Sequence, residues 1–112
     1  MIHYMRLHKE PFDSIKNGKK IYELRLYDEK RQAIQSGDLI CFTSPNDEQL
    51  LVRVKQLHIF ASFHELYATL PLLQCGYDDE SEAKAEDMEA YYSKSEQQKY
   101  GVVGIEIEVC QS

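Results

Sequence analysis

The sequence has no apolar run approaching the roughly 20 residues that a bilayer-spanning helix needs, so no membrane segment is expected. Its start, MIHYMRLHKEPF, lacks a basic segment followed by an apolar one, so no secretory signal is read there and a cytoplasmic location is the expectation. Cysteine is scarce. Cys41, Cys75 and Cys110 are odd in number, far apart and without a C-x-x-C pair, which argues against a disulfide framework. Cys41 in LICF and Cys110 in IEVC fall in strand-like runs, where a free thiol behaves as a small hydrophobe. His3, His8, His58 and His64 show no ligand spacing with one another or with cysteine, so neither a metal nor a cofactor is expected. Nucleophile-elbow, H-E-x-x-H and Walker patterns are also missing. Repeats and low-complexity tails are absent as well.

What is present fits one soluble domain spanning residues 1–112. The chain is 43% hydrophobic and 29% charged, ordinary values for a globular protein. A domain of this length buries roughly two-thirds of its unfolded surface, enough for a core without cross-links. The charge is uneven: residues 1–60 carry ten Lys/Arg against eight Asp/Glu, residues 61–112 three against eleven. The net charge of −6 argues against a duplex-DNA binder, whose affinity rests on neutralising many phosphates. The mildly basic first half still permits a small anionic or nucleotide ligand.

Along the chain, IHYMRLH alternates as a strand, and EPFDSIKNG follows as a short helix with Pro11 in its first turn and Gly18 as its cap. IYELRLY reads as a second strand, with Tyr22, Leu24 and Leu26 on one face and Glu23 and Arg25 on the other, outward one. DEKRQAIQSGD is a connection with a helical turn, LICFTS a third strand, and LLVRVKQLHIF a long fourth strand after the loop PNDEQ. Ser62 and Glu65 form a capping-box pattern opening a helix through FHELYATL. ESEAKAEDMEAYYSKS is rich in helix formers and is expected to be helical, with its glutamates favoured near the positive end of the helix dipole. VVGIEIEVC closes the chain as a strand, Ile105 and Ile107 inward, Glu106 and Glu108 outward. About five strands with helices inserted between them predict an α+β domain: a small mixed or antiparallel β-barrel.

The stretch GKKIYELRLYDEKR holds eight charged side chains within a strand pattern. On charge alone, a solvated strand face with modest salt bridges is the simpler explanation. The alternative is a ligand site built from Lys19, Lys20, Glu23 and Arg25. Lysine offers a point charge for phosphate, arginine a planar fork for phosphate, carboxylate or a base edge. Strict alternation places Lys20 on the Tyr22 side, away from Glu23, unless the strand opens with a bulge. Elsewhere, the two glycines of KYGVVG precede a strand, the wrong arrangement for a phosphate loop. Tyr91, Tyr92 and Tyr100 read more readily as core than as base-stacking residues.

Together, PFDSIKNGKKIYELRLYDEKRQAIQSGDLICF and the later KYGVVGIEIE resemble the ASCH (activating signal cointegrator homology) domain family, within the PUA-like superfamily of small barrels. Gly18, Lys20, Glu23 and Arg25 meet that family's G-x-K-x-x-E-x-R pattern, Gly37-Asp38 its later G-D, and Tyr100-Gly101 its closing strand entry. The resemblance implies a barrel with helices around it, and a cleft for RNA or a nucleotide-derived ligand along the second strand. One branch of similar fold resembles an amidohydrolase that deacetylates acetylcytidine nucleosides through a G-x-K-T-x-T-x-R motif and a later glutamate. Gly18, Lys20 and Arg25 match it, but Ile21 and Glu23 stand where it has threonines, and its glutamate falls within residues 76–87 without a single assignment. If this chain is an enzyme, Lys20 and Glu23 are the catalytic candidates, with Glu23 as a base on water. A module meeting protein partners through the acidic residues 78–89 is the third expectation.

Overall fold

The computed structural model describes residues 1–110. The first strand, β1 (Ile2–Arg6), leads into α1 (Lys9–Lys16). Pro11 lies in that helix's first turn, where a missing N–H costs nothing, and Phe12 and Ile15 are fully buried on one face. Asn17 ends the helix and Gly18 follows at φ +85°, a left-handed turn that releases the chain toward β2 (Tyr22–Leu26). The helical turn expected next is α2 (Glu29–Gln32), capped by the Asp28 carboxylate, which accepts from the Arg31 N–H at 3.1 Å. Strands β3 (Leu39–Thr43) and β4 (Gln49–Phe60) form a hairpin, α3 (Phe63–Thr69) crosses over, α4 (Lys94–Tyr100) follows, and β5 (Val102–Val109) ends the fold.

The five strands make one mixed sheet in the order β1-β3-β4-β5-β2, with only the β1–β3 pair parallel. A register shift between Val54 and Gln56 bulges β4, which sharpens the curl of the sheet. Its concave face encloses Phe12, Ile15, Ile40, Phe42, Val54 and Ile105. A second apolar cluster, with Leu24, Phe63, Leu66 and Val102, lies on the opposite face under α3. Both faces of β2 are therefore covered, which is why an alternating strand is buried along nearly its whole length. The α+β architecture of a small barrel is present, but among the described residues no strand ladder joins its edges β1 and β2. A side chain spans that seam instead: Arg25 Nη2 donates to the Arg6 carbonyl at 3.0 Å.

The long helix expected through residues 80–95 does not form. Two 3₁₀ turns, Glu80–Glu82 and Ala85–Ala90, take its place. Asp79 accepts from the Ser81 N–H and Asp87 from the Lys84 N–H, so short polar side chains satisfy locally the donors that a continuous helix would use. The dipole argument for the glutamates there fails with the helix. The regular helix starts later, where Ser93 and Glu96 exchange reciprocal hydrogen bonds as a complete capping box. Among the described residues no helix is long and apolar enough to cross a membrane.

Candidate functional site

Glu23 and Arg25 pair across the ladder with Ile105 and Val103, so they project onto the concave face. Sequence alternation makes that face outward; the curl of the sheet makes it the inside of the half-barrel. Tyr22, Leu24 and Leu26 go to the α3 side. At the open seam, the concave face ends in a cavity of about 1000 Å³, at the upper end of the usual range for small-ligand sites. The end of β1, the start of α1, β2 and the segment 75–92 surround it.

Lys20, Glu23 and Arg25 converge in this cavity. Lys20 Nζ lies 2.9 Å from Glu23 Oε1, and Arg25 Nε donates to Glu23 Oε2 at 2.7 Å. Their side chains are only 11%, 5% and 16% exposed, in that order. Alternation misplaces Lys20 because the residue stands before the ladder begins. Its N–H bonds to the Ser14 carbonyl and that of Ile21 to the Gln74 carbonyl, so the chain becomes part of β2 only at Tyr22. Gly76, at φ +111°, then passes over the lysine stem. A Cβ there would sit 3.3 Å from Lys20 Cδ, so the glycine both supplies the turn and admits the close approach.

Burial opposes ionisation of Glu23, but the Lys20 and Arg25 charges and hydrogen bonds outweigh it and hold the carboxyl below its ordinary value. Arg25 loses by burial and gains more from Glu23, so its guanidinium is raised in turn. Two fixed cations around one fixed anion leave the cluster itself with a net charge of +1, while Arg6, Glu10, Asp13 and Asp78 line the rest of a cavity that opens to solvent. Lys20 keeps two of its three donors free of Glu23. Such a cluster attracts an anion and can grip it with charge-assisted hydrogen bonds.

Lys19 is not among the groups that line the cavity. It is half exposed and ion-paired with Asp78, which itself stands on the rim. Of the acidic residues 78–89, Asp78 lines the cavity and Asp87 reaches it indirectly, through the Tyr77 hydroxyl at 3.0 Å. Tyr92 lines the cavity with its ring stacked on Phe63, Tyr91 stands largely exposed at the mouth, and Tyr100 packs against the second core. Sequence reasoning passed over Tyr67, Tyr77 and Cys75, which also line the cavity. Tyr67 looks like any interior helix position, and Tyr77 carries only the weak signal of following a glycine. Burial pushes the Cys75 thiol up to about 11 despite the nearby Lys20 charge, so it stays a thiol and not a nucleophile. Among the described residues no group of three or more His, Cys, Asp or Glu side chains could hold a metal ion.

The ASCH-domain model matches residues 5–111. The chain belongs to the ASCH-domain family. In three dimensions it is similar to the hypothetical protein PH0355, with 37% identity and a TM-score of 0.85 over 98% of this chain and 100% of that one. It is also similar to protein PF0455 from Pyrococcus furiosus, with 36% identity and a TM-score of 0.76 over the full length of both. An ASCH domain from Lactobacillus crispatus shares the fold at 16% identity, with a TM-score of 0.63 over 96% of this chain and 79% of that one. No curated protein matches the sequence.

Proposed function

We propose that this ASCH domain binds RNA or a nucleotide-derived ligand in the seam cavity, with the ligand's anionic group held by Lys20 and Arg25. The observation that carries this reading is the buried, net-cationic Lys20–Glu23–Arg25 cluster within a cavity walled by tyrosines. Glu23 fixes both cations in position before a ligand arrives, which lowers the ordering cost of binding. Aromatic walls suit a base, since every base offers a face for stacking. Family membership supports the same reading, because the PUA-like relatives it resembles bind RNA. The overall charge of −6 favours a short or small ligand over a long polyanion, and Lys19 at the rim adds local attraction.

A hydrolytic role with Glu23 as base draws less support from the geometry. Both its oxygens are engaged and its carboxyl is held low, whereas an effective base has a free lone pair and a value near working pH. The test is a titration of the chain with nucleoside monophosphates and short single-stranded RNA at low ionic strength. Saturable binding is expected, weakened about 10- to 100-fold by Lys20→Ala or Arg25→Ala, the worth of one charge-assisted hydrogen bond. Lys55→Ala, on the outer face, is the control with unchanged affinity. No saturable binding by either class of ligand overturns the reading.

A further inference from the structure

Besides the charged cluster, the cavity is lined by two tyrosines whose hydroxyls meet. Tyr67 on α3 and Tyr77, after the Leu72–Cys75 turn, have hydroxyl oxygens 2.6 Å apart. Their rings stand edge to face with centroids 5.8 Å apart. The Tyr77 hydroxyl donates to Asp87 Oδ2 at 3.0 Å, and that same oxygen takes the Lys84 N–H at 3.3 Å. Gly76 presses against the Lys20 stem, and its neighbour Tyr77 lines the same cavity as the cationic cluster.

The direction of this chain follows from counting protons. A carboxylate only accepts, so the single Tyr77 proton is committed to Asp87. Tyr77 can then only accept from Tyr67, and the single Tyr67 proton is committed to Tyr77. Burial first, and the bond to Tyr77 second, hold the Tyr67 phenol above its ordinary value, so the group stays a neutral hydroxyl. What Tyr67 has left for a ligand is acceptor capacity alone. The cavity is thus a donor site at Lys20 and Arg25 and an acceptor site at Tyr67.

We infer that Tyr67 is a specificity-determining residue, an acceptor-only hydroxyl that favours bases bearing an exocyclic amine over their carbonyl counterparts. This rests on the nucleotide reading of the cavity. An amine N–H completes a hydrogen bond with Tyr67. A carbonyl in the same place sets two acceptors against each other and forfeits its own hydration. Asp87 is the positioning residue: it touches no ligand and sets the polarity of the chain through Tyr77.

The experiment compares CMP with UMP, and AMP with IMP, by calorimetric titration of the full chain, and adds short oligocytidylate and oligouridylate to distinguish a free nucleotide from an RNA. The amine-bearing member of each pair is expected to bind roughly three- to tenfold more tightly, the worth of one neutral hydrogen bond. Tyr67→Phe equalises the pairs. Tyr77→Phe removes the acceptor that holds the Tyr67 proton, so the freed proton moves the preference toward UMP and IMP. A unimodal urea transition for each variant establishes that it is folded. Saturable binding without an amine preference, or a wild-type ratio in Tyr77→Phe, overturns this inference and leaves the nucleotide reading standing. No saturable binding by any of these ligands overturns both.

Discussion

Two clusters of nearly the same composition sit on neighbouring strands, and only one of them is a candidate site. Lys20, Glu23 and Arg25 gather on the concave face. On the opposite face, Glu106 lies 2.9 Å from His58 Nε2 and 4.0 Å from Lys55 Nζ. The ladder sets them side by side, since Tyr22 pairs with Glu106 and Glu23 with Ile105. Each carboxylate has two basic neighbours. Yet the Glu23 side chain is 5% exposed and that of Glu106 21%, and the Lys55 side chain is half in water. Residue type is therefore a poor guide to a site. The face of the sheet decides, because the concave one buries its charges more fully than the outer one does.

The sharpest way to break the comparison is to remove each carboxylate in turn. Glu23→Gln strands two buried cations and should cost on the order of 3–5 kcal/mol, as for other buried pairs that lose one partner. Glu106→Gln should cost about 0–1 kcal/mol, the worth of a partly solvated pair. Urea unfolding of both variants measures the two values. Equal losses would show that the concave face is no drier than the outer one, and the distinction would go.

Acid should separate the clusters next. The Lys20 and Arg25 charges outweigh burial and depress the Glu23 carboxyl in the folded protein. Stability from that depression is fully present above the unfolded value, about 4.3, and is lost as pH falls through the lower folded value. The gap in unfolding free energy between wild type and Glu23→Gln is therefore expected to hold steady from pH 7 to 5 and to narrow below about pH 4. A gap that stays constant down to pH 3 would mean that Glu23 titrates alike in both states.

How much of this was legible beforehand follows from the same contrast. Strand periodicity located all five strands within a few residues, because Ile40, Phe42, Val52, Val54, Ile105 and Ile107 recur at every second position within their strands and end up in one core. The G-x-K-x-x-E-x-R pattern located Lys20, Glu23 and Arg25. What it could not reveal was their convergence, since Lys20 joins Glu23 only by standing outside the ladder, its N–H donated to the Ser14 carbonyl and that of Ile21 to the Gln74 carbonyl. The wall 75–92 was misread because glutamate-rich composition promises a helix, while Asp79 and Asp87 spend their carboxylates on local N–H groups. Ser93 and Glu96 carried a restart signal for α4 that the surrounding run of helix formers concealed. Tyr67 had no readable signal and Tyr77 only the weak one of following a glycine: ten residues apart, they meet only after the chain has turned at Gly76.

The smallest effect should mark the boundary between the cavity and its rim. Lys19 is 46% exposed and its partner Asp78 84%, so Lys19→Ala should change stability by no more than about 1 kcal/mol. Its charge still contributes to the field that draws an anionic ligand inward. Lys19→Ala is thus expected to weaken nucleotide binding a few-fold at low ionic strength, with the effect fading above about 0.15 M salt, where the screening length falls to about 8 Å. Lys20→Ala should keep most of its loss at every salt concentration, because the Lys20 side chain is only 11% exposed and a contact to a buried charge is screened far less. If the two lysines lose equal affinity with equal salt dependence, Lys20 is acting as one more surface charge. The buried cluster would then hold the seam together without gripping a ligand.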